Sequence, residues 1–414
     1  MKHKKLFVTF TVIFTVLLSL IIFLMIWYWG DRYDGGNNFD GFNDFRSEIE
    51  IPGLKDGACP QGITTYKANY TETVTDDEGK ETEVKKSQDY FFITSYFKNQ
   101  PSRIYVVGNV TGEVGYVSLK NADGSDYTGH CGGIATNGYY LWVSSDDKVF
   151  VATKDKSTST NNIATEIIKL AAENGEIQFK NSFGANCNAS FLYFYDYDGG
   201  ATNTPSSNDR LYVGEFYRAG KYETNEKHCL TTPNKETNRA FAYEYNTSTS
   251  TTFGLATGDG YDANGEKVPA IKKIFSIPDE IQGFARTSNG LVLSQSYGLK
   301  NSHIYYYGFQ WETASLSKNS RIKYTEIEKT GFKYDESVKT INGAPYYDSS
   351  LYVYYIERSS LLNDYSIPSM SEGLCTLNGR VYVLFESGAK KYSPFVRKVL
   401  KNVYSFIPRK SDKF

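Results

Sequence analysis

The chain has 414 residues, 45 Lys and Arg against 47 Asp and Glu, and a formal net charge of −2. That balance excludes a globally basic nucleic-acid binder, and 40% hydrophobic with 22% charged residues excludes a disordered chain. The 35 Tyr and 26 Phe, beside only three Met, suit pleated and half-buried strands, so composition favours a β protein.

Residues 6–30 (LFVTFTVIFTVLLSLIIFLMIWYWG) carry no charge. As a helix they span roughly 37 Å, enough to cross a bilayer with some tilt. Lys2, Lys4 and Lys5 precede the run, and Trp27, Tyr28 and Trp29 close it like an interfacial anchor. A cleaved signal peptide competes, but the run exceeds an ordinary apolar core and no small-x-small site follows it. The expectation is an uncleaved signal-anchor helix. Residues 1–5 then form a cytoplasmic stub, and everything after residue 30 lies outside the cell by the positive-inside rule. Residues 31–47 (DRYDGGNNFDGFNDFRS) read as a flexible tether.

Beyond the tether the chain repeats. A strand opening of residue-Gly/Ser-apolar recurs as Gln61-Gly62-Ile63, Gly132-Gly133-Ile134, Ala189-Ser190-Phe191, Gln282-Gly283-Phe284 and Glu372-Gly373-Leu374. Each is followed by a second apolar run: Phe91-Phe92-Ile93, Leu141-Trp142-Val143, Leu211-Tyr212-Val213, Leu291-Val292-Leu293 and Val381-Tyr382-Val383. A third run pairs a cation with an apolar residue and an aromatic, as in Arg103-Ile104-Tyr105, Lys148-Val149-Phe150, Arg239-Ala240-Phe241 and His303-Ile304-Tyr305, with a degraded copy at Lys401-Asn402-Val403-Tyr404. Fourth strands read EVGYVSL, EIQFKNSF, KIFSIP and NDYSIP, and the last copy lacks one.

Four-strand units in tandem predict an all-β fold, a β-propeller of five blades over residues 48–408. Residues 47–52 supply the missing strand and close the ring. Six blades stay open as an alternative, because residues 311–357 include Tyr346-Tyr347 and an apolar run at 351–356. Two β-sandwiches are the other alternative. Residues 163–174 and 395–401 have helical character, and residues 409–414 form a basic tail. Five Cys in an oxidising compartment leave at least one thiol free, and a disulfide among Cys59, Cys131 and Cys187 is expected; Cys229 is left unassigned and Cys375 reads as a small core residue.

On the Gln-Gly-apolar openings, residues 48–408 resemble the propeller superfamily that includes the gluconolactonase, strictosidine-synthase and paraoxonase groups. The resemblance implies a central metal held by Glu, Asn and Asp near the axis. Glu372 and Asn188 stand at comparable openings and no matching Asp does, so the family's catalysis is not carried over. No cofactor and no metal ligands are assigned, with a central divalent cation left open.

In a propeller the start of the first strand and the end of the second meet at one mouth of the central channel. The openers give Gln61, His130, Asn188, Ser190, Gln282 and Glu372; the closers give Ser95, Ser145, Glu215, Gln295 and Glu386. Tyr96, Phe216, Tyr217 and Tyr297 follow the closers, and Lys98, Arg218, Lys300, Lys390 and Lys391 stand in the adjoining loops. Amides offer donor and acceptor together, and aromatic faces cover the apolar side of a sugar. Gln61, His130, Gln282, Gln295 and Tyr297 are therefore the expected ligand-binding residues, for a ligand carrying anionic or hydroxyl-rich groups. Backbone capping at the axis is the plainer role for each residue singly.

Glycoside hydrolysis needs two carboxylates, and Glu372 with Glu215 or Glu386 is the candidate pair. A serine or cysteine triad lacks support, since no Gly-x-Ser-x-Gly elbow occurs and His130 reads as structural. The reading favoured is a membrane-anchored, surface-displayed propeller that binds a cell-envelope glycan, another anionic envelope component or a protein. A hydrolase acting on a glycan or lactone, and a scaffold for envelope proteins, are the alternatives. No nucleic-acid partner is expected.

Overall fold

A computed structural model describes residues 2–29, 45–75, 79–154, 162–185, 187–197, 206–261, 265–309, 321–323 and 351–411. Five antiparallel sheets succeed one another along the chain, and each begins at one of the repeated openings. Blade 1 uses Cys59–Thr75, Glu81–Tyr96, Arg103–Gly108 and Gly112–Lys120. Blade 2 uses Gly133–Thr136, Tyr140–Ser145, Lys148–Thr153 and Asn181–Gly184. Blade 3 uses Ala189–Tyr195, Arg210–Glu215, Ala240–Asn246 and Ile271–Ile277. Blade 4 uses Ile281–Arg286, Gly290–Gln295, Ser302–Gly308 and Leu361–Ile367. Blade 5 uses Ser371–Leu377, Arg380–Phe385 and Asn402–Phe406, and its fourth strand is the N-terminal Arg46–Glu50. The protein is a five-bladed β-propeller.

Closure is specific. Ser47 pairs with Tyr404, Glu50 pairs with Asn402, and Ile51 N–H donates to the Lys401 carbonyl at 2.8 Å. Phe45 stacks on Tyr404 with ring centroids 4.9 Å apart, and Asn402 Nδ2 donates to Ser47 Oγ at 2.5 Å. The outer edge that blade 5 would otherwise expose is thereby paired.

The glycine of the openings has a packing cause. A Cβ built at Gly133 would lie 2.2 Å from Leu192 N, and one at Gly62 would lie 2.8 Å from Ile134 N. At Gly283 it would meet the Glu372 carbonyl oxygen at 2.6 Å, and at Gly373 the Gln61 carbonyl oxygen at 3.0 Å. First strands of adjacent blades abut at these points, so a side chain there would force the ring apart. Between blades 3 and 4, where Ser190 replaces glycine, Phe191 stacks on Phe284 at 6.3 Å.

The apolar core lies in layers between blades. Tyr66, Phe92, Val143 and Ile167 fill the space between blades 1 and 2; Trp142, Leu211 and Tyr243 that between 2 and 3; Phe91, Tyr382 and Leu384 that between 5 and 1. Because both faces of a blade are covered, the second strands are apolar almost continuously rather than alternating. Trp142 adds a directional tie, its Nε1 donating to the Phe253 carbonyl at 2.8 Å.

Two parallel strands were not expected. Glu176–Gln178 joins Gly112–Lys120 at the edge of blade 1, after the helix Ile163–Ala172, which Asn162 caps through its side chain. Tyr352–Tyr355 joins Ile271–Ile277 at the edge of blade 3. The run at 351–356 therefore widens an existing blade instead of opening a sixth, while Tyr346-Tyr347 lies outside the described residues. Residues 395–401 form turns, not a helix.

All five cysteines are free thiols, a correction to the expected disulfide among Cys59, Cys131 and Cys187. Cys59 begins the first strand of blade 1, and Cys131 and Cys187 precede those of blades 2 and 3. Cys59 Sγ donates to Glu386 Oε2 at 3.3 Å, and Cys131 Sγ to the Gly129 carbonyl at 3.5 Å.

At the N-terminus an α-helix covers Lys2–Trp29. Its described side chains, residues 10–25, are all exposed. Among the described residues no helix is long and apolar enough to cross a membrane. Most of the expected tether, residues 31–44, lies outside the described residues. The tail does not hang free at its start: Arg409 N–H donates to Tyr365 Oη at 2.9 Å, and Ser411 N–H to the Leu362 carbonyl at 2.9 Å.

Candidate functional site at the propeller mouth

A cavity of about 440 Å³ opens at the end of the channel where the first strands begin. All six openers line it: Gln61, His130, Asn188, Ser190, Gln282 and Glu372. They converge because the opening position occupies the same phase in every blade. Of the closers, Ser145 and Glu386 line it, and so do Phe216 and Tyr297 just beyond the second strands.

The other closers turn away. Glu215 is 1% exposed; it accepts from Phe241 N–H at 2.7 Å and bonds to His228 Nδ1 at 2.5 Å. His228 stacks on Phe241 at 4.3 Å. The candidate pairing of Glu215 with Glu372 is therefore absent, since the segment carrying His228 draws the Glu215 carboxyl into the blade. Gln295 Nε2 donates to the Asp279 carbonyl at 2.9 Å and its Oε1 accepts from Tyr305 Oη at 2.7 Å, so the amide is spent beside the mouth. Ser95 is fully buried.

The floor is a carboxyl pair. Glu372 precedes Gly373 in the first strand of blade 5, and Glu386 follows Phe385 at the end of the second. Ser371 pairs with Phe385 in the ladder, which places the two carboxyls side by side and in hydrogen-bond contact. Burial, then the neighbouring Glu386, raises the Glu372 pKa well above its ordinary value. Burial also raises Glu386, against hydrogen bonds from Cys59 and Gln61. Two buried carboxyls in contact hold one proton between them, because both cannot be ionised cheaply.

Gln61 is 4% exposed, and its Nε2 donates to the Pro60 carbonyl at 2.8 Å and to Glu386 Oε2 at 3.0 Å. Both partners are acceptors, which fixes the amide with Nε2 toward them and Oε1 on the other side. Burial keeps the Cys59 thiol well above the ordinary thiol range, so it is an inert donor and not a nucleophile.

His130 lines the cavity and Tyr96 stands behind it, outside the lining. His130 packs on Tyr96 with centroids 4.5 Å apart, and burial and then Lys391 lower its pKa. Lys391 Nζ donates to Tyr96 Oη at 2.9 Å. The lining also holds Phe216, Tyr222 and Tyr297, with Phe216 and Tyr297 6.1 Å apart and Arg218 over the Tyr297 ring at 4.4 Å. Arg218 itself is paired to Glu280. Tyr217 lies outside the lining, with Arg239 over its ring at 5.5 Å. Lys98, Lys300 and Lys390 do not line the cavity; Lys221 does.

Sequence reasoning missed Lys221, Tyr222, Asp146, Met370, Ser296 and Tyr392. Lys221 and Tyr222 arrive on a tight turn in which Arg218 bridges to Tyr222, a placement no repeat phase announces. The central metal implied by the resemblance does not fit: among the described residues no three His, Cys, Asp or Glu side chains are grouped to hold one, and Glu372 is engaged with Glu386.

The geometry defines a propeller with a polar, acid-floored and aromatic-walled mouth. No family model matches the chain, and no curated protein matches it. It is similar to a solved structure of Kluyvelomyces marxianus Hsv2 at a TM-score of 0.23 and 7% identity, covering 78% of this chain and 91% of that one. An overlap that loose supports no inference about this chain.

Proposed function

We propose that this protein is a membrane-anchored, extracytoplasmic propeller that binds a hydroxyl-rich polar ligand, a saccharide of the cell envelope, in the mouth cavity. The observation that carries the reading is that one cavity lining combines hydrogen-bonding groups with aromatic rings. Gln61 and the Glu372–Glu386 pair supply hydrogen-bonding groups, and Phe216, Tyr222 and Tyr297 supply aromatic rings to the same cavity. A pyranose has hydroxyls around its edge and an apolar face, and this arrangement matches both. The uncharged residues 6–30, with lysines before and aromatics after, support the anchor and its orientation.

The hydrolase reading is weaker for a geometric reason. Carboxyls that flank a glycosidic bond stand roughly 5–9.5 Å apart. Glu372 and Glu386 are in hydrogen-bond contact and leave no room for the scissile bond between them.

The test uses the full chain in detergent micelles on an array of neutral, N-acetylated, amine-bearing and uronate oligosaccharides. Retention of at least one class is expected, falling about tenfold in Tyr297→Ala and Gln282→Ala as stacking and amide contacts are lost. No retention of any class, or retention unchanged in both variants, would overturn it.

A further inference from the structure

The Glu372–Glu386 pair and Gln61 gather acceptors in the cavity lining, and Lys391 reaches Glu386 only through charge attraction without a direct ion pair among the described residues. Glu372 is 4% exposed and lines the cavity, and the hydrogen bond to Glu386 is its side chain's one polar contact among the described residues. Gln61, equally buried, supplies an independent sign. Its Nε2 is fixed by two acceptors, and its Oε1 accepts no hydrogen bond among the described residues. That oxygen is not sealed in protein, and the residue lines the cavity.

The nearby cations make their direct contacts elsewhere. Lys391 Nζ donates to Tyr96 Oη and lies over the Tyr96 and Tyr392 rings, with no oxygen of Glu372 or Glu386 within 4 Å among the described residues. Lys221 lies over Tyr222 at 5.1 Å and Tyr297 at 5.7 Å. His130 is held neutral by burial and Lys391. Asp146, also in the lining, adds a further acid.

We infer that the floor receives a protonated amine, so that the ligand of this mouth is an amino sugar with a free ammonium group. The inference rests on the saccharide reading above and names its class. An ammonium offers three donors and one positive charge. The acceptors available are the carboxyl oxygens of the pair and Gln61 Oε1. Tyr222 and Tyr297 line the same cavity.

Three tetrasaccharides with one β-1,4 backbone separate the possibilities: the glucosamine tetramer, the N-acetylglucosamine tetramer and cellotetraose. Binding to the full chain in detergent is measured at pH 6.5 by calorimetry. The amine tetramer is expected to bind at least about tenfold more tightly than the other two. The preference should persist at 0.5 M salt, because a contact inside the cavity is screened little. Glu372→Gln and Glu386→Gln should each weaken the preference, and the double variant should lose it; a double variant that keeps the full preference overturns the inference.

Equal binding of all three tetramers overturns the inference and leaves the saccharide reading standing. A preference that vanishes at 0.5 M salt overturns it too, as attraction of a polycation to the outer surface. Binding of none of the three overturns both.

Discussion

Glu372 and Glu386 hold their shared hydrogen bond across the two inner strands of blade 5, the blade that Arg46–Glu50 completes. The floor of the cavity and the closure of the ring are thus properties of one sheet. The segment leading from the N-terminal helix ends in that same sheet.

The carboxyl pair makes stability depend on pH. Glu372 has an ordinary pKa near 4.5, raised well above it in the fold by burial and Glu386. Between those two values the folded chain holds a proton that the unfolded chain has released. Stability is therefore full below the unfolded value and is lost as pH rises toward the folded one. Glu372→Gln is neutral at every pH and should flatten this slope. Thermal melts should show the variant about 3 °C more stable than the parent at pH 8, with the gap closing at pH 5. A gap that widens on acidification would mean the pair is not protonated in the fold.

The closing strand is open to truncation. A chain beginning at residue 52 loses the pairing of residues 46–50 with residues 402–405 and the Phe45–Tyr404 stack, and leaves an outer edge unpaired. Burial of Ile51 and the ladder hydrogen bonds together suggest a loss of about 3 kcal/mol or more. A fall in melting temperature beyond about 5 °C, or edge-to-edge association seen in sedimentation, is expected. An unchanged monomer with an unchanged melt would contradict the closure.

Gly133→Ala should cost about 2–4 kcal/mol, because its methyl would meet the backbone of Leu192 rather than a movable side chain. Denaturant titration reads this directly. Gly379→Ala, where a Cβ meets nothing within 4 Å, isolates the separate cost of a positive φ. If Gly133→Ala costs no more than Gly379→Ala, the axis contact is not tight.

These glycines show why so much of the fold was legible. The recurring opener marks the point where first strands touch, so a backbone requirement wrote itself into the sequence as glycine four times, with Ser190 at the fifth opening. The second-strand runs were legible because both faces of each blade are buried. What stayed hidden came from partners that the repeats do not set. Glu176–Gln178, expected as part of the fourth strand of blade 2, joins blade 1 in parallel and leaves only Asn181–Gly184 to blade 2, and Tyr352–Tyr355 joins blade 3 from an insertion where no phase predicts the partner. Glu215 holds the right phase for the mouth, yet His228, thirteen residues on, removes it. Gln295 is lost to Tyr305 on the neighbouring strand in the same way. The openers fared better because their partners at the axis are other openers.

Orientation is checked with protease added to intact cells. The propeller should be digested from outside while residues 1–5 stay protected, given the three lysines that precede the uncharged run. Protection that disappears only on lysis would place the propeller inside.

The central claim is that the mouth of the propeller is the ligand site, and hydroxyl-radical footprinting of the full chain with a retained saccharide tests it most directly. Tyr222, Tyr297 and Tyr392 line the cavity and are accessible to the radical without ligand. Tyr197 is 59% exposed, lies outside the lining and serves as the control. Saturating saccharide should reduce oxidation of the three mouth tyrosines several-fold and leave Tyr197 unchanged. Bound saccharide with undiminished oxidation at Tyr222, Tyr297 and Tyr392 would contradict a site at the mouth.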